Sequence, residues 1–175
     1  LKCDETILDT QQKFRCGTGA FAVIKTLTDF KSDDGGISSQ PFELCVSQTD
    51  EWQRSACFSE FTHALVPKLQ WDTDHIYATI LRITDDLGAK EHTATMIRSA
   101  SIFLSSRILS KPDSDFITGC RSLPDEFQTD CIYGVSGGLM FNGPPEDEFS
   151  RAEQFCANEK LKASEKTGCT RLLQQ

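Results

Sequence analysis

The sequence predicts an all-α fold, a solenoid-like stack of about five helical hairpins of which four are stapled by a disulfide. Three observations carry this expectation. The eight cysteines fall into four sequential pairs, the segments around those pairs resemble one another, and apolar residues recur at helical spacing between repeated chain breaks.

The pairs are Cys3 and Cys16, Cys45 and Cys57, Cys120 and Cys131, and Cys156 and Cys169, with separations of 13, 12, 11 and 13 residues. The stretch CVSQTDEWQRSACFSEFTHALV lies over CRSLPDEFQTDCIYGVSGGLM, so that Asp50-Glu51-Trp52-Gln53 matches Asp125-Glu126-Phe127-Gln128. Eight residues after the second cysteine stand Leu65 and Leu139, and Ile24 takes that place in CDETILDTQQKFRCGTGAFAVI. Gly19 and Gly134 both follow their cysteine by three residues.

The first cysteines stand at 3, 45, 120 and 156, and the middle gap is about twice the others. A cysteine-free copy is therefore expected near LRITDDLGAKEHTATMIRSASIFL, residues 81–104. One domain over 1–175 is predicted, with copies at approximately 1–36, 37–71, 72–110, 111–143 and 144–175. The first copy is expected to lack its leading helix and the last to end in a short one.

Helical periodicity supports each unit. Ile76, Ile80 and Ile83 share one face, as do Met96, Ala100, Phe103 and Leu104. Pro124 before Asp125-Glu126 reads as a helix start, and Asp72 or Thr73 as a cap with Asp74 favouring the dipole. Breaks fall at Asp33-Asp34-Gly35-Gly36, Ser110-Lys111-Pro112 and Asn142-Gly143-Pro144-Pro145, and Pro144 to Phe149 reads as another helix start. No alternating β-branched run is long enough to make a sheet.

The cysteine spacing has a geometric meaning. Residues ~12 apart on one straight helix are separated by about 18 Å. A disulfide needs Cα atoms within about 7 Å. A bond inside each pair therefore requires the chain to turn back, with the first cysteine near the end of one helix and the second a turn or two into the next. The expected bonds are Cys3–Cys16, Cys45–Cys57, Cys120–Cys131 and Cys156–Cys169, each closing a short loop and contributing about 3 kcal/mol. The general architecture resembles paired-helix repeats of the tetratricopeptide or Sel1 type, without their Trp-Leu-Gly-Tyr signature spacing. That resemblance implies architecture alone.

Composition narrows the function. A net charge of −8 and a pI near 4.9 argue against nucleic-acid or anionic-membrane binding. No apolar run approaches the ~20 residues of a membrane span. The cysteines lack Cys-x2-Cys spacing and neighbouring histidines, so no metal site is expected. Asp29 to Gly36 fails the calcium-loop pattern because Lys31 and Asp34 fall where Asp or Asn and Gly belong. Asp72, Asp74 and His75 read as a helix start rather than ligands. Four disulfides point to an oxidising, extracytoplasmic location: secreted, periplasmic or cell-surface.

Gly134-Val135-Ser136-Gly137-Gly138 fits the Gly-x-Ser-x-Gly pattern of a hydrolase nucleophile. The pattern needs a buried strand before the serine and, in that fold, a histidine after it. DEFQTDCIY is polar and helical in pattern, and His63, His75 and His92 all precede Ser136. The small residues are expected instead to give a helix a flat face for close packing, with His63 a packed or partly exposed repeat residue. Trp52 and Phe127 are expected in core or inter-repeat packing. The expected function is a non-enzymatic scaffold or protein-binding module, with a protein partner or self-assembly and no cofactor. The alternatives are a serine hydrolase using Ser136 and a carrier of a small apolar ligand between hairpins.

Overall fold

The computed structural model describes residues 3, 9–31, 36–107, 111–140 and 149–173. The predicted break at Asn142-Gly143-Pro144-Pro145 and most of the one at Asp33-Asp34-Gly35-Gly36 lie outside them, as does most of the helix start read from Pro144 to Phe149.

The described chain is all-helical. It runs α1 (Thr10–Ile24), α2 (Glu43–Val46), α3 (Glu51–Lys68), α4 (Thr73–Asp86), α5 (Thr93–Arg107), α6 (Asp113–Arg121), α7 (Asp125–Met140), α8 (Ser150–Cys156) and α9 (Ala163–Leu172). Single 3₁₀ turns occupy Lys25–Leu27, Gln40–Phe42 and Lys90–His92. The one extended pairing among the described residues is an isolated bridge between Lys31 and Ile37.

Local chemistry sets the helix ends. Asp9 caps α1 reciprocally: its carboxylate accepts from the Gln12 backbone N–H at 2.7 Å, and Gln12 Oε1 accepts from the Asp9 N–H at 3.0 Å. Asp72, not Thr73, caps α4 by accepting from the His75 N–H. Gly88, at φ +61°, closes α4, with the Ala89 N–H on the Thr84 carbonyl and the Gly88 N–H on the Asp85 carbonyl. In the turn after α3, Gln70 (φ 54°) and Trp71 (φ 63°) both adopt left-handed backbone without being glycine.

Disulfides join Cys3 to Cys16, Cys45 to Cys57, Cys120 to Cys131 and Cys156 to Cys169, with Cα separations of 5.7, 5.3, 5.5 and 5.6 Å. In every case the second cysteine is the seventh residue of its helix: Cys16 in α1, Cys57 in α3, Cys131 in α7 and Cys169 in α9. The α4–α5 pair has no cysteines and is tied by a buried Thr93-to-Thr84 hydroxyl hydrogen bond of 2.9 Å.

The odd-numbered helices pack in series, α1 on α3, α3 on α5, α5 on α7 and α7 on α9. Each neighbouring pair runs parallel. Early residues meet early residues (Glu51 and His92) and late ones meet late ones (His63 and Phe103) between α3 and the segment of α5. Arg98 bonds Asp130, and Ser105 lies beside Gly138, between α5 and α7. The even-numbered helices α2, α4, α6 and α8 lie against their odd-numbered successors.

The core follows this packing. Ile76, Ile80, Ile83, Met96, Ala100 and Leu104 are buried as their periodicity requires, whereas Phe103 remains half-buried. Phe30, Phe42 and Phe61 meet edge-to-face at centroid distances of 5.4–5.8 Å, seating the connection from α1 to α2 on α3.

Small residues let α7 approach α5. A Cβ on Gly134 would lie 2.5 Å from the Arg98 carbonyl oxygen and 2.6 Å from Ser101 Cβ. Gly19, matched to Gly134 by sequence, faces open space, and the close approach of α1 to α3 belongs to Gly17, 3.0 Å from Ala56 Cβ by the same measure. The reason is register: Gly17 follows Cys16 directly and falls on the opposite side of the helix from Gly19.

Candidate functional site

Ser136 is fully buried in the interior of α7, and its hydroxyl donates to the Tyr133 carbonyl at 3.0 Å. The interactions of the three histidines among the described residues are with other groups. His63 stacks on Phe103 and sits 3.7 Å from the Glu60 carboxylate. His75 lies in the first turn of α4, and His92 lies between α3 and α5. Asp72 and Asp74 remain at the start of α4, and no cluster of His, Cys, Asp or Glu among the described residues could hold a metal ion. The hydrolase pattern is thus spread through the helix that packs on α5 rather than presented at a strand-to-helix turn.

Two clefts with an aromatic wall lie elsewhere, at the starts of the parallel helices. A cleft of about 550 Å³ separates α1 from α3, with Phe14 on one wall, Trp52 on the other, and Asp50 and Glu51 on the rim. A second, of about 760 Å³, separates the α4–α5 pair from the start of α7. Its apolar surface comes from Leu81, Pro124 and Phe127, and its rim carries Asp85, Glu91 and Glu126 with Arg82 and Lys90. Trp52 and Phe127 are each half-buried. Both therefore pack between helices while lining an open cleft.

His92 lies between the two clefts. Its ring stacks on Phe58 at 4.6 Å, with Nδ1 3.8 Å from the Glu51 carboxylate and Nε2 3.7 Å from that of Glu91. The side chain is buried, and Nε2 has no hydrogen-bond partner among the described residues. Glu51 belongs to the first cleft and Glu91 to the second, so one edge carries an aromatic cleft, an acidic junction and another aromatic cleft.

Ion pairs fix the charge states along this edge. The Arg54 hydrogen bond, at 2.8 Å, holds Glu51 below the usual carboxylate range against the opposing effect of burial. Lys90 binds Asp85 at 2.8 Å and feels Glu126, which together raise its pKa. The sequence shows the duplicated Asp-Glu-aromatic-Gln but assigns Trp52 and Phe127 a packing role only, without the clefts they line. The position of His92 had no such signal, because it depends on how α5 is set against α3. No family model, curated protein or solved structure matches this chain.

Proposed function

We propose that the chain is a non-enzymatic, extracytoplasmic protein-binding module, built as a repeat of about five helical hairpins whose helix starts form one recognition edge. The observation that carries this reading is the pair of apolar clefts walled by Trp52 and Phe127 on the same edge of the parallel helices. The regular place of the second cysteine in four helices supports the repeat. The four disulfides are compatible with an oxidising compartment, and no helix among the described residues is long and apolar enough to cross a membrane.

The hydrolase alternative draws no support from a fully buried Ser136 hydroxyl committed to its own helix. A fluorophosphonate serine probe is expected to leave native protein unlabelled, and Ser136→Ala to change nothing. Labelling at Ser136 that the alanine variant abolishes would replace this reading with an enzyme. The carrier alternative uses the same clefts, and a small apolar molecule retained in native mass spectra of the purified chain is the observation that favours it.

A further inference from the structure

We infer that the edge formed by the starts of α3, α5 and α7 binds an extended polypeptide segment bearing two apolar anchor residues with Lys or Arg around them. This rests on the binding-module reading and specifies its ligand. The two clefts supply the anchor sites, each with an aromatic wall that a large apolar side chain can cover. Charge complementarity supplies the second requirement. The clefts are rimmed by five acidic residues, Asp50, Glu51, Asp85, Glu91 and Glu126, against two basic ones, Arg82 and Lys90. Lys90 is held by Asp85, and Arg82 by Asp86 at 2.9 Å. Glu51 and Glu91 approach the junction at His92 from either side and remain exposed. Asp85 is occupied by Lys90, and Glu51 by Arg54 at 2.8 Å, so the carboxylates that meet an incoming cation are Asp50 at the first cleft and Glu91 and Glu126 at the second.

The packing order predicts the spacing of the anchors. The cleft between α1 and α3 is two helix-to-helix steps from the cleft at the start of α7. At about 8–10 Å per step the span is roughly 16–20 Å. An extended chain advancing about 3.3 Å per residue covers that span in about 5 or 6 residues. A segment of this kind matches two anchors that a single small molecule does not.

The test is selection of a displayed library of random 12-residue peptides against the whole chain with its disulfides intact. Enriched peptides are expected to share two aromatic or large aliphatic residues about 5 or 6 positions apart, with Lys or Arg beside or between them. Their binding should weaken about tenfold or more with Trp52→Ala or Phe127→Ala, the loss of one hot-spot contact. Trp52 also packs near Gly17, so the exposed pair Glu91→Lys and Glu126→Lys provides variants that leave packing untouched. These should weaken binding and flatten its salt dependence. Val23→Ser, an exposed change at the far end of α1, should have no effect. Enriched peptides that bind regardless of the edge substitutions, or that are acidic or carry one anchor, overturn the inference and leave the binding-module reading standing. A selection that enriches nothing overturns both.

Discussion

Glu165→Ala is expected to destabilise the fold by about 3 kcal/mol, the cost of breaking a buried ion pair from one side. Glu165 is fully buried and receives two hydrogen bonds from Arg121, each of 2.6 Å, and one from the Lys162 backbone N–H at 2.7 Å. Arg121 and the Lys162 amine both also donate to Gln128 Oε1, at 3.1 Å. The carboxylate ties α9 to α6, and α7 joins the same network through Gln128, which shares Arg121 and Lys162 with it. At about 2–4 °C per kcal/mol for a chain of this size, the melting temperature should fall by about 6–12 °C.

The same residue predicts a pH dependence. Burial alone would raise its pKa, but the Arg121 hydrogen bonds, the Lys162 N–H and both neighbouring charges outweigh burial and lower it below the ordinary 4.5. A carboxylate depressed on folding stabilises the protein fully above its unfolded pKa. That contribution is lost as pH falls through the folded value. Denaturant titrations should therefore show the stability gap between the native chain and Glu165→Gln shrinking below about pH 4.5. A gap that stays constant into strong acid would show that the carboxylate's charge carries none of it.

Gly134→Leu is expected to cost about 3 kcal/mol, the upper part of the usual range for overpacking. The obstacle is backbone: even a Cβ would stand 2.5 Å from the Arg98 carbonyl oxygen, which no side-chain rotation can relieve. Gly19→Ala is the counterpart. It meets nothing within 4 Å inside α1, so the gain in helix propensity of up to about 1 kcal/mol should appear as added stability. Urea midpoints of the two variants should move in opposite directions. Equal shifts would mean that the close approach of α7 to α5 is absent in solution.

These two glycines also show how far the sequence could be read. The all-helical class and the presence of disulfides were legible, because apolar period and cysteine count report on local structure. Burial of Ile76, Ile80 and Ile83 followed from the same periodicity. Close approach was legible on α7, where Gly134 falls on the α5 side, but not on α1, where Gly17 rather than Gly19 does so. The left-handed turn at Gln70 and Trp71 carries no turn residue to announce it. The site divides the same way. Trp52 and Phe127 stood out as a repeated aromatic, whereas the clefts they line, and His92 between Glu51 and Glu91, arise from the packing of helices distant in sequence.

In the proposed reading, each cysteine pair closes one unit of a repeated helical hairpin, so that like helix starts align along one edge. Peptide mapping of the non-reduced protein by mass spectrometry tests it most directly. Four cross-linked peptides are expected, joining Cys3 to Cys16, Cys45 to Cys57, Cys120 to Cys131 and Cys156 to Cys169, with no free thiol. A bond between cysteines of different units, or a pair found reduced, would contradict it and remove the edge on which the proposed binding depends.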